Sequence, residues 1–294
     1  MNKNVASIPS QQPCLVWPIQ RVRPGICEQT EDRVIVEEPL EIVINGQRVA
    51  VLMRMPGQEK ELAAGFCVSE GYVRSADDLV LIHHCGLGHP APDGREGPDE
   101  MTSRNRVEVR TTAEGFVPPD RSSDVIRLIR SGCGAAEVSA LSETLPYLPC
   151  QVTFAAETLL GLAQSMRDLQ AVHQQIGGTH AAALFDPHGR LVTLAEDIGR
   201  HNAVDKVLGY CLLQRISLAD KALLTSGRAS YEMVVKAIRT GVPLVASISA
   251  PTSLAVHLAG QHGLTLIGYL RGGRMNVYTH SRRVTGVCAA GNEG

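Results

Sequence analysis

One stretch sets the architecture that this sequence predicts: residues 196–209 read EDIGRHNAVDKVLG and carry six ionisable side chains. Residues 191–194, just before it, are apolar and β-prone, which predicts a strand. Apolar side chains then recur at the spacing of a buried helix face, at Ala203, Val204, Val207, Leu208, Cys211 and Leu212. The stretch is therefore a predicted connection from a strand to a helix, where open α/β sheets bind ligands, and Glu196, Asp197, Arg200 and His201 lie on this connection.

Length and charge limit which classes of protein this chain can belong to. The 294 residues suit one large domain or two smaller ones, since domains typically hold roughly 100–200 residues. With 28 Lys+Arg against 30 Asp+Glu, the chain lacks the basic footprint of a nucleic-acid-binding protein. No apolar run reaches the roughly 18 residues of a membrane span, and the first ten residues lack the pattern of a signal peptide. We expect a cytoplasmic protein with no membrane span.

The cysteines argue against a disulfide framework and against a zinc site. All eight are scattered along a long chain, which favours free thiols. The sequence contains no Cys-x-x-Cys pair, so a structural zinc held by paired thiolates is not expected, and no other metal ligand set is predicted.

The first half of the chain is predicted to be rich in β-strands. Residues 1–31 have no periodicity and are interpreted as a poorly ordered lead-in, with the fold starting near Val34. Asn45-Gly46 between two apolar runs is a strong hairpin signal, and residues 60–71 predict a helix that ends at Gly71. Residues 86–104 predict an exposed loop, followed by a returning strand at 106–110.

The second half is predicted to be α/β. A helix is expected at 157–174, then a hairpin at 180–194, and then three strand-led units at 221–240, 243–261 and 264–279. We therefore expect a lead-in at 1–31, a β-rich portion at 32–156, an α/β domain with a mixed sheet at 157–282, and a tail at 283–294.

Polar side chains follow the predicted strands of the second half. If those strands run in the same direction, the loops after them meet at one sheet edge, together with two or three helix N-termini. Arginines follow three of the strands, at Arg200, Arg228, Arg271 and Arg274. Guanidinium groups and helix N-termini both favour anions, so the expected ligand carries phosphate.

Read together, blocks of this sequence resemble the FdhD/NarQ family of formate dehydrogenase accessory sulfurtransferases. The resemblance covers about residues 33–282, and its order along the chain makes chance agreement improbable. The matching blocks are residues 37–40, 62–66, 69–71, 131–134, 178–182, 196–209, 226–233 and 273–280.

The resemblance implies a function and a fold. It implies a sulfur carrier that takes persulfide sulfur from a cysteine desulfurase and delivers it to the molybdenum bis-guanine-dinucleotide cofactor of formate dehydrogenase. It also implies a C-terminal sheet similar to the cytidine deaminase fold, and a homodimer. The zinc signature of the deaminases, His-x-Glu followed by Pro-Cys-x-x-Cys, is absent, so no deaminase activity is expected.

Cys133 is the candidate catalytic residue. It lies between Gly132 and Gly134, which leave a thiol accessible, and Arg127 and Arg130 precede it and favour the thiolate. The alternative is a small buried residue in a tight turn. The resemblance favours a persulfide carrier, although family members often read Cys-x-x-Cys here and this chain has Ala136 at the second position.

The candidate cofactor-binding residues lie on the predicted sheet edge. The resemblance places the guanine dinucleotide on the stretch 269–274, whose two glycines would let backbone N–H groups turn toward an anion. A tight turn with solvated arginines is the alternative. The full set is Tyr269, Leu270, Arg271, Gly272, Gly273, Arg274, Arg228, Arg200 and His201.

Other polar residues of this half leave two interpretations open. His201 and Asp205, one helical turn apart, are predicted to form a hydrogen-bonded pair that is either functional or structural. His180 is placed at a strand start that faces the site or merely adjoins it. Asp197 and Glu232 are interpreted as carboxylates at helix N-termini, and Cys67 and Cys211 as core residues; both cysteines lie on apolar helix faces.

Two rival functions remain. A non-enzymatic chaperone would bind the cofactor and hand it over without sulfur chemistry, and the missing second cysteine gives this rival weight. A nucleotide-modifying hydrolase on a deaminase-like sheet would need metal ligands at a spacing that the chain lacks.

Overall fold

A computed structural model describes residues 13–85, 105–112 and 144–286. Its first element corrects the prediction of a poorly ordered lead-in. Strands β1 (Cys14–Arg23) and β2 (Ile26–Ile35) form an antiparallel hairpin that is paired along its whole length. The hairpin turns at Gly25, which has φ 77°. The sequence does not indicate this hairpin because its strands lack a regular alternation of apolar and polar residues. Residues 1–12 of the proposed lead-in lie outside the described part.

A four-stranded sheet follows, with strand order β4-β3-β6-β5. Its members are β3 (Glu38–Ile44), β4 (Gln47–Arg54), β5 (Leu79–Cys85) and β6 (Arg106–Thr111). The hairpin predicted at Asn45-Gly46 is confirmed, and φ values of 49° and 79° give the turn that matches strand twist. The predicted returning strand is confirmed as β6, whereas the predicted loop at 86–104 lies outside the described residues.

Helix α1 (Glu59–Glu70) covers this sheet. It ends, as predicted, at Gly71, whose φ of 84° is the left-handed conformation that closes a helix at low cost in glycine. Leu62 and Phe66 of α1 pack with Leu40 and Ile42 of β3 in one apolar core.

The second half contains a six-stranded mixed sheet with strand order β13-β12-β11-β10-β8-β9, as predicted for an α/β region. Its helices are α2 (Ala156–Asp168), α3 (Ala171–Ile176), α4 (Arg200–Leu213), α5 (Tyr231–Arg239) and α6 (Ser253–Gln261). Its strands are β8 (His180–Phe185), β9 (Leu191–Asp197), β10 (Ala222–Thr225), β11 (Leu244–Ser247), β12 (Thr265–Arg271) and β13 (Arg274–Val277).

One helix of the prediction is two helices in the structure. The helix expected at 157–174 breaks after Asp168, and α3 starts at Ala171. The carboxylate of Glu196 accepts the backbone N–H groups of Val172 and His173, both at 2.8 Å. These donors are thereby satisfied at the start of a new helix instead of within a continuous one.

The expected gathering of loops at one sheet edge is confirmed by the strand directions. Strands β10, β11 and β12 are mutually parallel. Strand β9 is antiparallel to β8, which is itself antiparallel to β10, so β9 runs the same way as these three. The C-terminal ends of all four strands therefore lie at one edge, which we call the ligand edge, and the start of β8 at His180 lies there too.

Both faces of the large sheet are buried. Ala182 and Leu184 of β8 point to the core formed with α4, α5 and α6, while Ala181, Ala183 and Phe185 point to the core formed with α2. None of the helices in the described residues is long and apolar enough to cross a membrane.

The predicted tail at 283–294 starts too early. Arg283 is fully buried and donates to the carbonyls of Leu148 and Pro149. Strand β14 (Val284–Thr285) then pairs in parallel with β7 (Phe154–Ala155). A guanidinium that satisfies buried carbonyls ties residues 283–285 to the core, and residues 287–294 lie outside the described part.

The two halves meet where α1 crosses α4. A Cβ atom added to Gly65 would lie 1.7 Å from the backbone oxygen of Asp205, and one added to Gly209 would lie 1.8 Å from that of Glu61. Only glycine allows this distance between the two helix backbones.

Candidate functional site

Most ionisable residues of the 196–209 stretch turn inward and hold the structure together. Both oxygens of Glu196 are occupied: besides the two N–H groups of α3, Oε2 accepts the Thr179 hydroxyl at 2.8 Å. This carboxylate, predicted as a ligand-facing residue of the connection, instead anchors α3 to the sheet.

Asp197 and Lys206 form a buried ion pair. The Lys206 Nζ lies 2.8 Å from the Asp197 carboxylate, and the two side chains are 1% and 0% exposed. The Asn202 amide donates to the same carboxylate at 2.9 Å, and Lys206 also donates to the Met55 carbonyl at 3.2 Å. The pair therefore attaches the segment after β4 to the start of α4, so Asp197 is a structural carboxylate rather than a group of the ligand edge.

The predicted pair of His201 with Asp205 is wrong. Asp205 accepts the Ser69 hydroxyl at 2.7 Å and the Lys236 ammonium at 2.9 Å and 3.0 Å. Burial lowers the pKa of Lys236, but the carboxylates of Asp205 and Glu70 outweigh burial and raise it overall. Asp205 lies under α1 and meets a cation from α5, one helical turn away from the ligand edge at which His201 lies.

The His201 imidazole instead contacts the carboxylate of Glu232. Its Nε2 lies 2.6 Å from Glu232 Oε2, and the two side chains are 19% and 25% exposed. The hydrogen bond to His201 lowers the pKa of Glu232, although its partial burial acts in the opposite direction. Glu232 does lie in the first turn of α5, as predicted, but its role as the partner of His201 was missed because the contact joins two helices.

His180 faces the ligand edge. Its Nδ1 lies 3.2 Å from the Ser226 hydroxyl oxygen, which also accepts the Ala181 N–H at 2.9 Å. Burial lowers the pKa of His180, and neighbouring positive charges, that of Arg200 first, lower it further. The Arg200 side chain lies along Gly227, where an added Cβ would be 3.1 Å from Arg200 Cδ. The two residues thus share one corner of the edge.

The arginine hairpin has the geometry of a tight turn. Gly272 and Gly273 have φ of 60° and 71°, the two positive values of the hairpin turn that follows strand twist, and they place Arg271 opposite Arg274. Tyr269 also has a positive φ, 54°, and the Arg271 guanidinium carbon lies 5.6 Å from the centre of its ring. The Tyr269 ring is therefore partly covered by an arginine.

The remaining predicted residues are placed as follows. Arg228 is exposed on the loop after β10, and Leu270 is fully buried in the core, which leaves its backbone for any ligand contact. Cys133 lies outside the described residues. Cys67 and Cys211 are buried core residues, as predicted, and burial raises the pKa of Cys211 to about 11.

The ligand edge is electropositive. Within the described ranges, none of the four arginines forms an ion pair, and Arg200 Nε is buried without a hydrogen-bond partner. Within the same ranges no group of three or more His, Cys, Asp or Glu side chains is arranged to hold a metal ion. The arrangement can bind an anion.

Comparisons with known proteins agree on one family. The model of the FdhD/NarQ family matches residues 35–285. A sulfur carrier protein FdhD of Streptomyces avermitilis is 42% identical over 272 residues, covering 90% of this chain and 93% of that protein. Its counterpart in Mycobacterium tuberculosis is 42% identical over 277 residues, covering 90% and 98%.

A solved structure is also similar. It is the crystal structure of a putative formate dehydrogenase accessory protein from Desulfotalea psychrophila, with a TM-score of 0.72 and 27% sequence identity. The match covers 93% of this chain and 100% of that one.

Proposed function

Because this chain belongs to the FdhD/NarQ family, we propose that it is a sulfur carrier that serves a formate dehydrogenase. The observation that carries the proposal is the match over residues 35–285, together with relatives named as sulfur carrier proteins at 42% identity across nearly their whole length. The solved accessory protein with a similar fold supports the link to formate dehydrogenase.

The proposed carrier group is the Cys133 thiolate. It attacks the outer sulfur of a persulfide on a cysteine desulfurase, so that one S–S bond breaks and another forms. The donor cysteine leaves as a thiolate, and Cys133 gains the sulfane sulfur as its own persulfide. The exchange is balanced and needs no external oxidant. Gly132 and Gly134 beside this cysteine, and Arg127 and Arg130 before it, support this role.

The proposed acceptor is the molybdenum bis-guanine-dinucleotide cofactor, bound as a substrate at the ligand edge. Arg271 and Arg274 flank a glycine turn there, and Arg200 has a buried Nε that lacks a partner among the described residues. A pyrophosphate supplies the acceptor oxygens that guanidinium groups pair with best. Tyr269 offers a ring face to a planar group, in competition with Arg271.

Three further expectations belong to this proposal. We propose a cytoplasmic homodimer, and the exposed apolar side chains Trp17, Val22 and Ile26 on the N-terminal hairpin support an interface between copies. Cysteine desulfurase and formate dehydrogenase are the proposed partners. The resemblance of the large sheet to the cytidine deaminase fold stays a prediction.

A cofactor chaperone without sulfur transfer is the second candidate. One observation favours it: Ala136 replaces the second cysteine of the pair that the family often carries. A single thiol suffices for the exchange described above, so the two candidates differ in whether Cys133 becomes loaded.

The test is intact-mass analysis after incubation with a desulfurase and cysteine, with and without a reductant that strips the added sulfur. We expect wild type to gain one removable sulfur, Cys133→Ser to gain none, and Cys85→Ser and Cys150→Ser to load like wild type. Guanosine diphosphate should still bind to Cys133→Ser, as measured by calorimetry. A wild type that never loads, yet still supports active formate dehydrogenase, would replace the carrier by the chaperone.

A further inference from the structure

The contact between His201 and Glu232 joins the starts of two helices at the ligand edge. Each residue is the second of its helix, α4 or α5, and neither helix has a side-chain cap at its N-terminus. The first N–H groups of both helices therefore lack intrahelical partners and carry partial positive charge.

The geometry fixes which imidazole nitrogen is free. His201 lowers the pKa of Glu232, so Glu232 is an ionised carboxylate that can only accept a hydrogen bond. The 2.6 Å contact therefore requires a proton on His201 Nε2. Its Nδ1 has no hydrogen-bond partner among the described residues, so this atom is available to a ligand.

Among the described residues, Glu232 forms no ion pair other than that with His201. The nearest lysine on its helix, Lys236, is occupied by Asp205 and Glu70 at 2.9 Å and 2.8 Å. Arg200, next to His201 in the chain, keeps a buried Nε without a partner among the described residues. This part of the ligand edge therefore has one carboxylate, that of Glu232, beside the guanidinium of Arg200 and the imidazole of His201. When the imidazole is protonated, two positive charges face one negative charge.

We propose that Glu232 is a positioning residue that holds His201 as a cationic contact for the pyrophosphate of a guanine dinucleotide, alongside Arg200. The proposal rests on the proposed function, because it explains how a predicted contact of the same acceptor is held in place. Position in the first turn of a helix does not by itself give Glu232 this role; its contact with His201 does.

The probe is diguanosine pyrophosphate, whose internal phosphates keep a constant charge between about pH 5 and pH 8, unlike the terminal phosphate of a nucleotide. Calorimetry compares wild type with Glu232→Gln, which keeps the size and an acceptor oxygen but removes the charge. Glu157→Gln is the matched control, because Glu157 is an exposed carboxylate in the first turn of α2. Circular dichroism verifies that each variant is folded.

We expect binding to weaken as pH rises. Near neutral pH, Glu232→Gln should bind the probe about ten-fold more weakly than wild type, because it removes the negative charge that favours a cationic imidazole. The charged and titratable groups that act on the pair, namely Arg200 on α4, His180 on β8 and Lys236 on α5, are unchanged in this variant. Glu157→Gln should follow wild type.

Two further measurements separate positioning from mere stability. Glu232→Asp retains the charge and should keep the wild-type dependence of binding on pH. If Glu232 had only a structural role, the shorter Asp side chain should weaken binding as much as Gln does. Nitrogen shifts of the His201 ring should report a proton on Nε2 in wild type and in Glu232→Gln, whose amide oxygen can still accept it, so a weaker affinity of this variant reports the lost charge rather than a turned ring.

The outcomes distinguish this inference from the proposed function. If Glu232→Gln binds the probe like wild type at every pH, the role of Glu232 is overturned while the sulfur carrier stands. If wild type does not bind the probe although Cys133 accepts sulfur, this inference and the proposed acceptor both fail, and the carrier half of the function survives.

Discussion

Replacing Gly65 by alanine should weaken the contact between the two halves of the protein and so destabilise the fold. Gly65 lies in α1, where it touches the backbone of α4, and a Cβ there would lie 1.7 Å from the Asp205 carbonyl oxygen and 2.5 Å from its carbon. Ordinary contact for a Cβ starts near 3.4 Å, so the helix backbones must move apart by about 1.7 Å. No flexible side chain can absorb this shift, because the obstructing atoms belong to the backbone.

Two effects of Gly65→Ala lower the free energy of unfolding, and one effect raises it. Overpacking of a tight contact costs about 1–3 kcal/mol. The separation also stretches the 2.7 Å hydrogen bond from Ser69 to Asp205 beyond bonding range, and a buried carboxylate that loses a partner costs about 1–3 kcal/mol more. Alanine returns about 0.5–1 kcal/mol because glycine is a poor helix former. We expect Gly65→Ala to lower the free energy of unfolding by about 3 kcal/mol.

Urea unfolding followed by circular dichroism is the assay, because the single tryptophan, Trp17, lies exposed on the N-terminal hairpin and reports poorly on the helix contact. Gly161→Ala is the control: Gly161 is inside α2, and an added Cβ would meet nothing within 4 Å. It should stabilise the protein by about 0.5–1 kcal/mol. Equal midpoints for Gly65→Ala and Gly161→Ala would refute the close contact between α1 and α4.

Two other consequences can be tested on the free protein. Asp197→Asn and Lys206→Met should each destabilise by about 3–5 kcal/mol, because each leaves a buried charge unpaired, and the double variant should lose less than the two losses together in urea unfolding; additive losses would count against the pair. Exposed Cys27 should react with a thiol reagent in the native protein. Buried Cys67 and Cys211 should react only after unfolding, since burial raises both pKa values, that of Cys211 to about 11; rapid native labelling of either would contradict their placement in the core.

The parts of the fold that were predicted correctly depend on local chemistry. The turn at Asn45-Gly46 and the helix end at Gly71 each need a positive φ, which these residue types adopt at low cost. The shared edge of β10, β11 and β12 follows from the alternation of strands and helices, since that alternation makes neighbouring strands parallel. Strand β9 joins this edge through two antiparallel pairings with β8.

The parts that were missed depend on contacts between distant segments. The stretch 196–209 looked like a site because ionisable residues are dense in it, yet sequence density cannot distinguish a buried ion pair from a binding group. Asp197, at the end of β9, pairs with Lys206 on α4, whereas Asp205 pairs with Lys236 on α5 and His201 pairs with Glu232. Helical spacing predicted His201 and Asp205 as partners. It could not show that Lys236, on a different helix, pairs with Asp205 instead.

The buried pairs nevertheless bear on the proposed ligand binding, because they fix where the start of α4 lies. Asp197 accepts the Gly199 N–H at 3.0 Å and the Asn202 amide at 2.9 Å, on either side of Arg200 and His201. The same carboxylate holds Lys206, which donates to the Met55 carbonyl in the N-terminal half. A change in Asp197 should therefore weaken both folding and anion binding, whereas a change in Glu232, which is partly exposed and bonded to His201, should weaken binding with little loss of stability. This difference separates a carboxylate that builds the ligand edge, Asp197, from one that positions a proposed ligand contact on it, Glu232.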